Sequence, residues 1–328
     1  MSLLEVKNLF VNFNTYRGIV NALDGISFKI NSSESVGIVG ETGCGKSVTA
    51  RAIMGFIEHP GEIINGQILL EGRNLLNLGE KKMTSIRGSQ ISFIFQEAKK
   101  ALDPTSKIGD QLVEAAIFGR GIEKSEAVQL ATTTLEQVGL ADTKRLLRSY
   151  AFELSGGMAQ RVMIAIAIVG GSKLIIADEP TSALDVSIQA QILHLLRTIR
   201  KIQSSALLLI THDLGVAAEN CDRILVMYAG RVVESGLVKD IYNSPSHPYT
   251  VKLLNALPTS KQRRLEAIPG MVPDLIDPPK GCRFANRCDF AKEICLTPPD
   301  MKEITSEQFV ACHFPRNGNI RMASLNGR

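Results

Sequence analysis

The chain has 328 residues, 45% of them hydrophobic and 21% charged, with a formal net charge of +4 and a mean hydropathy close to zero. That length allows one large globular domain and a smaller one. A basic surplus this small leaves no nucleic-acid footprint. The longest apolar run, residues 162–169, is far short of the roughly 20 residues that cross a bilayer, and residues 1–6 show no basic leader, so the expectation is a chain that stays in the cytosol.

Composition shifts near residue 245. Residues 246–328 carry twelve Lys and Arg against eight Asp and Glu, nine of the thirteen prolines and four of the six cysteines, whereas residues 1–245 are balanced in charge. A first domain over 1–245, a small Pro- and Cys-rich module over 246–316 and a flexible tail over 317–328 are therefore expected.

In chain order, residues 3–13 and 22–30 alternate in polarity and predict two antiparallel strands joined through residues 14–18. Tyr16 is the first candidate to stack on a base near the loop that follows, with Phe13 second; the alternative is a loop aromatic covering the sheet edge. Residues 35–39 predict a buried strand and residues 47–56 a helix with Val48, Ala52 and Phe56 on one face. Between them, Gly40-Glu41-Thr42-Gly43-Cys44-Gly45-Lys46-Ser47 fits G-x-x-x-x-G-K-[ST]. Strand, glycine loop and helix in this order turn backbone N–H groups and a helix N-terminus onto phosphate oxygens, with Lys46 in reach of the β- and γ-phosphates and Ser47 placed for Mg²⁺. The candidate contacts are Gly40, Thr42, Gly43, Cys44, Gly45, Lys46, Ser47 and Val48.

Residues 65–72 and 91–95 predict further strands, the second ending at Gln96, where ligands bind in open α/β sheets. Residues 103–150 turn helical, with Ile108, Leu112, Ala115, Val128, Leu135, Val138 and Leu140 at three- and four-residue intervals and breaks at Gly119 and Gly121. Ser155, Gly156 and Gly157 then stand before an apolar helix over 158–169 and offer a second anion-directed loop. Asp178 and Glu179 end a buried strand over 174–177, a pair suited to holding Mg²⁺ and orienting a water. After Ser182-Ala183-Leu184-Asp185 comes an amphipathic helix through Ile188, Ile192, Leu195 and Ile199, then a strand over 207–211 ending at His212, then a hairpin around Ala229 and Gly230.

In that order, the phosphate loop, Gln96, Leu154-Ser155-Gly156-Gly157, Asp178-Glu179, Ser182-Ala183-Leu184-Asp185 and His212 resemble the motifs of an ABC-transporter nucleotide-binding domain across residues 3–240. The resemblance implies an α/β fold: a P-loop NTPase (RecA-like) ABC ATPase core with an antiparallel β subdomain, a helical subdomain over about 97–155 and the small Pro/Cys-rich C-terminal module. It implies ATP and Mg²⁺ as ligands, with Ser47, Gln96 and Asp178 around the metal, Lys46 on the phosphates, Glu179 as general base or water-orienting residue and His212 on the γ-phosphate. Ser155, Gly156 and Gly157 would meet ATP held by an opposite subunit, with Asp185 bridging the interface. One departure is Ala151, where many importer ATPases have proline.

The C-terminal residues narrow the resemblance. Ser246-His247-Pro248-Tyr249-Thr250, Leu253 to Pro258 and Cys282-Arg283-Phe284-Ala285-Asn286-Arg287-Cys288 resemble the extension of dipeptide and oligopeptide importer ATPases. This implies a second ATPase subunit (a paralogue or a second copy), two transmembrane permease subunits, an extracytoplasmic peptide-binding protein and a place at the cytoplasmic face of the membrane, with no nucleic-acid partner. Nickel or another small solute is the alternative cargo. A soluble ABC ATPase acting on nucleic acid or ribosomes is disfavoured, because those proteins usually join two cassettes or carry a long coiled-coil insertion. Cys282, Cys288, Cys295 and Cys312, spaced C-x5-C-x6-C-x16-C, suggest a metal centre, since a reducing cytosol disfavours disulfides. By resemblance this is a [4Fe–4S] cluster, with Zn²⁺ as the alternative and His313 as a possible substitute ligand.

Overall fold

The structure, a computed structural model, describes residues 2–182, 184–257 and 268–316. Ala183, Pro258 and the expected tail over 317–328 lie outside the described residues.

Two long strands open the chain, β1 (Ser2–Thr15) and β2 (Gly18–Asn31), followed by β3 (Ser35–Val39), β4 (Gly61–Leu70), β5 (Arg73–Asn74), β6 (Ile91–Ile94), β7 (Leu174–Asp178), β8 (Ala206–Thr211), β9 (Arg223–Tyr228), β10 (Arg231–Leu237), β11 (Met301–Thr305) and β12 (Gln308–Ala311). A four-stranded antiparallel sheet has the order β2-β1-β4-β5. The eight-stranded sheet has the order β11-β12-β10-β9-β3-β8-β7-β6, parallel from β6 to β9 and antiparallel beyond.

Strands β3, β7 and β8 are buried along their whole length, as parallel strands covered on both faces must be. Side chains alternate between two cores. Ile38, Ile176, Leu208 and Ile210 face the helix Lys46–Met54 and the antiparallel sheet. Ile175, Ala177, Leu207 and Leu209 face the helices Gly156–Val169 and Val186–Gln203.

The helical segment consists of Ile108–Arg120, Lys124–Gln137 and the short Thr143–Leu146, packed on Gly156–Val169. Ile108, Leu112, Leu135, Val138 and Leu140 are buried as the periodicity predicts, but Val128 is 42% exposed, and the buried face of the second helix is carried by Ala127 and Ala131. Gly119 does not break its helix: a Cβ there would lie 2.4 Å from Gly170 Cα, so glycine allows a close crossing, and the helix ends at Gly121 with φ 66°.

The C-terminal residues do not stand apart from the main sheet. Strand β12 pairs with β10, and the buried Glu234 of β10 accepts hydrogen bonds from Ser246 N (2.7 Å), His247 N (2.9 Å) and Gln308 Nε2 (2.9 Å). Among the described residues no helix is long and apolar enough to cross a membrane.

Candidate nucleotide site and cysteine cavity

Strands β3, β6, β7 and β8 end at one edge of the parallel sheet, and the residues that follow them converge there. A cavity of about 560 Å³ is lined by Thr42, Gly43, Gly45, Lys46, Ser47, Val48, Gln96, Glu179 and His212, with Phe13, Val20, Ala22 and Leu275 as its apolar end. This is the position where open parallel sheets take ligands.

The loop conformation demands glycine at two points. Gly40 has φ 155°, and a Cβ there would sit 2.2 Å from Met227 O; at Gly45, with φ 105°, it would sit 2.7 Å from Leu23 Cδ2 and 2.8 Å from Ala22 O. The Cys44 thiol is fully buried, and burial raises its pKa. Gly40 and Cys44 do not line the cavity. Lys46 is 5% exposed, and its Nζ donates to Gly40 O (2.8 Å) and Glu41 O (3.0 Å), which keeps the cation at the loop's mouth.

Ser47 Oγ donates to Asp178 Oδ1 at 2.9 Å. Burial raises the Asp178 pKa, the Ser47 hydrogen bond opposes that shift and the neighbouring Glu179 charge adds to it. Glu179 takes the left-handed backbone conformation, φ 45°, unusual for a non-glycine residue. Its N–H donates to Ile210 O at 2.9 Å, and its carboxylate lies between Gln96 Nε2 (3.4 Å) and His212 Nδ1 (3.3 Å).

The aromatic assignment needs correction. Tyr16 is 99% exposed at the tip of the β1–β2 hairpin and does not line the cavity, whereas Phe13 does. Strand pairing runs on to Thr15 and Gly18, which leaves Tyr16 in the tight turn and sets Phe13 inside the ladder, opposite Val20 and Gly61. Gly61 makes room for the ring: a Cβ there would come within 2.6 Å of Phe13 Cε1.

Ser155 caps the helix Gly156–Val169, its Oγ accepting from Met158 N at 3.3 Å. Asp185 occupies the cap position of Val186–Gln203 without a side-chain cap bond. None of Ser155, Gly156, Gly157 and Asp185 lines the nucleotide cavity. Gly156 and Gly157 have no internal need for glycine: added Cβ atoms would meet Leu184 at 3.9 Å and Ile188 at 3.4 Å, ordinary contacts.

Cys282, Cys288, Cys295 and Cys312 line a second, narrow cavity of about 10 Å³ together with His247 and His313. Among the described residues, no group of three or more His, Cys, Asp or Glu is arranged to hold a metal ion. Burial raises the thiol pKa of Cys282 and Cys288 and pushes that of Cys312 up to about 11. His313 Nε2 lies 3.0 Å from Thr297 O. His247 is different: its Nδ1 accepts from Tyr249 N at 3.0 Å, which puts the proton of the neutral ring on Nε2, and that buried Nε2 has no partner.

Sequence reasoning missed Leu275 and Arg287. Leu275 O accepts from Asn21 N at 2.8 Å, which brings Leu275 over the apolar end of the nucleotide cavity. Arg287 Nη1 makes two 3.0 Å contacts to the Glu41 carboxylate. Both join segments about 250 residues apart, and no local pattern marks them.

Phosphate loop, adjacent carboxylates Asp178 and Glu179 and parallel sheet together define a P-loop ATPase of the cassette type. The ABC transporter family profile matches residues 23–182, and that of the oligopeptide/dipeptide transporter C-terminal region matches residues 233–295. The oligopeptide transport ATP-binding protein OppD of Bacillus subtilis (strain 168) is 46% identical over 313 residues, 94% of this chain and 87% of that protein. The dipeptide transport ATP-binding protein DppD of Lactococcus lactis subsp. cremoris is 47% identical over 294 residues, 89% of this chain and 84% of that protein. The dimeric post-hydrolysis structure of the ATP-binding cassette MJ0796, bound to ADP and Pi, superposes with a TM-score of 0.64 at 27% identity, covering 72% of this chain and 98% of that one. The chain belongs to the family of ABC transporter ATP-binding proteins and is an ABC-type ATPase.

Proposed function

We propose that this chain is the ATP-hydrolysing subunit that powers import of dipeptides or oligopeptides, working at the cytoplasmic face of the membrane with a second ATPase subunit, two permease subunits and an extracytoplasmic peptide-binding protein. The observation that carries this reading is the pairing of an intact phosphate-loop site with the C-terminal region found in peptide-transport relatives across nearly the whole chain.

In this reading the loop amides and Lys46 take the β- and γ-phosphates, and Phe13, Val20, Ala22 and Leu275 take the base. Ser47, Asp178 and Gln96 would hold Mg²⁺, which would supply charge neutralisation at the phosphates. Glu179, held between Gln96 and His212, orients the attacking water and accepts its proton, while His212 contacts the γ-phosphate. The opposite subunit supplies Ser155, Gly156 and Gly157 to the same ATP, with Asp185 at the interface. Two glycines at a helix start, with no contact of their own that requires glycine, support a face reserved for a ligand held elsewhere.

The power stroke needs a surface that senses the site and meets the permease. A groove of about 440 Å³ lies between the end of β6 and the helix Ile108–Arg120, lined by Phe93, Phe95, Leu102, Phe118 and Met163. Phe95 and Phe118 are 41% and 50% exposed, and Phe95 immediately precedes Gln96. An apolar permease helix seated there would move with the glutamine that reaches Glu179.

The test is affinity purification of the tagged chain from detergent-solubilised membranes under anaerobic conditions. Recovery of two multi-span subunits and a second ATPase is the expected result; recovery of ribosomal or nucleic-acid partners without membrane subunits would overturn the importer.

A second reading concerns the cysteine cavity. We propose by resemblance that Cys282, Cys288, Cys295 and Cys312, which line one cavity, would hold a [4Fe–4S] cluster, with Zn²⁺ as the alternative, although their arrangement in this structure is not that of a metal site. Such a centre would cross-link a segment with little apolar core of its own. Iron, acid-labile sulfide and zinc analysis of anaerobically purified protein decides between the two.

A further inference from the structure

The phosphate loop carries an acid of its own. Glu41 is the first variable residue of the loop, and its carbonyl accepts Lys46 Nζ at 3.0 Å, so an acidic side chain branches from the residue that holds the cation assigned to the β- and γ-phosphates. A bare carboxylate in a loop built for a polyphosphate works against it, because it repels the ligand and competes for the cation.

The far end of the chain answers this charge. Arg287 Nη1 donates to both Glu41 carboxylate oxygens at 3.0 Å, and among the described residues each is the other's ion-pair partner. The Arg287 side chain is 6% exposed. Its Nε donates to Pro269 O (2.9 Å), its Nη2 to Ile268 O (3.3 Å), and Nη1 also to Tyr228 Oη (3.2 Å). Every one of these partners except Glu41 is neutral, so the guanidinium is fixed by uncharged groups and spends its charge on one acid. Tyr249 Oη accepts from the Glu41 N–H at 3.0 Å and so fixes the backbone that carries the carboxylate. Neither Glu41 nor Arg287 lines the nucleotide cavity, which leaves charge, not contact, as the means by which they act on a ligand.

We propose that Arg287 is a positioning residue for ATP: it neutralises and pins Glu41, so that the loop and Lys46 present net positive charge to the phosphates. The C-terminal segment thereby supplies, within one chain, a charge that the phosphate loop lacks. This rests on the reading of Lys46 and the loop as the phosphate site given above.

The experiment measures dissociation constants of ATP and AMP by equilibrium dialysis at low and high salt, on the full chain, for wild type, Arg287→Met, Glu41→Gln, the double variant and Lys46→Ala. Arg287→Met should weaken ATP binding at least about fivefold, a typical coupling between linked sites. AMP, which carries less charge, should lose less, and the ATP loss should shrink at high salt as the exposed carboxylate is screened. Adding Glu41→Gln to Arg287→Met should restore most of the ATP affinity, a rescue that a merely structural role would not give. Glu41→Gln alone should bind ATP at least as tightly as wild type, and it decides the matter if Arg287→Met does not fold. Weaker ATP binding by Glu41→Gln overturns the proposal, as does an Arg287→Met loss that is absent, equal for ATP and AMP, or unrelieved in the double variant. Lys46→Ala should lose the preference for ATP over AMP; a preference retained there overturns the phosphate-site reading and this proposal with it, whereas its loss beside an unaffected Arg287→Met overturns the proposal alone.

Discussion

Ser47 Oγ donates a 2.9 Å hydrogen bond to Asp178 Oδ1, tying the end of the phosphate loop to the end of strand β7. The pair holds two of the oxygens assigned to Mg²⁺ in contact. Replacing Ser47 by alanine should weaken ATP binding about 10- to 100-fold in the presence of Mg²⁺ and change it little in EDTA, as measured by equilibrium dialysis under both conditions.

The buried Asp178 carboxyl carries a pKa above its ordinary value of about 3.9. Mg²⁺ needs the carboxylate, so the proton must leave first. Mg²⁺-dependent ATP binding should therefore weaken as pH falls through the raised pKa and strengthen as pH rises above it. Asp178→Asn should bind more weakly and lose this part of the pH dependence. A wild-type profile retained in Asp178→Asn would place the titrating group elsewhere.

Phe13, and not Tyr16, lines the apolar end of the cavity. Phe13→Ala should weaken ATP binding on the order of tenfold, the scale of one lost base-stacking contact. Tyr16→Ala should leave the dissociation constant unchanged.

Gly157 does not line this chain's own cavity. Gly157→Val should leave ATP binding and thermal stability of the single chain near wild type, because its Cβ meets only Ile188 at 3.4 Å, yet lower turnover of the assembled complex by on the order of 10²-fold, the scale of a lost oxyanion-type contact. Paired binding and turnover assays separate the two effects.

Glu234, fully buried, accepts from Ser246 N, His247 N and Gln308 Nε2 and so joins β10, β12 and the helix Pro248–Asn255. Glu234→Ala would leave those donors buried and unpaired, a loss of about 3 kcal/mol, read as a lower midpoint in denaturant unfolding with unchanged slope.

The sequence made legible whatever local chemistry specifies. The strand, glycine loop and helix around Lys46, the carboxylates ending β7 and His212 after β8 occupy one sheet edge because each follows a short buried strand. The adenine end was less legible. Phe13 and Tyr16 are three residues apart, and only the β1–β2 register, set by pairing through Thr15 and Gly18, decides which faces the cavity. Leu275 and Arg287 reach the site from the far end of the chain, where proline-rich sequence carries no periodicity to read. Strand β11 escaped for a related reason: all five of its residues are exposed, so it shows no alternation, and only pairing with β12 extends it along the main sheet.

The most direct test of the account is uptake of a labelled dipeptide or tripeptide by cells whose importer carries either wild-type chain or Glu179→Gln. Glu179 is pinned by Ile210 O and set between Gln96 and His212. Removing its basicity should cut ATP turnover on the order of 10²-fold or more and reduce uptake to background, while the variant still binds ATP and stays in the membrane complex. Peptide uptake at the wild-type rate in the Glu179→Gln strain would contradict the claim that hydrolysis at this site powers import.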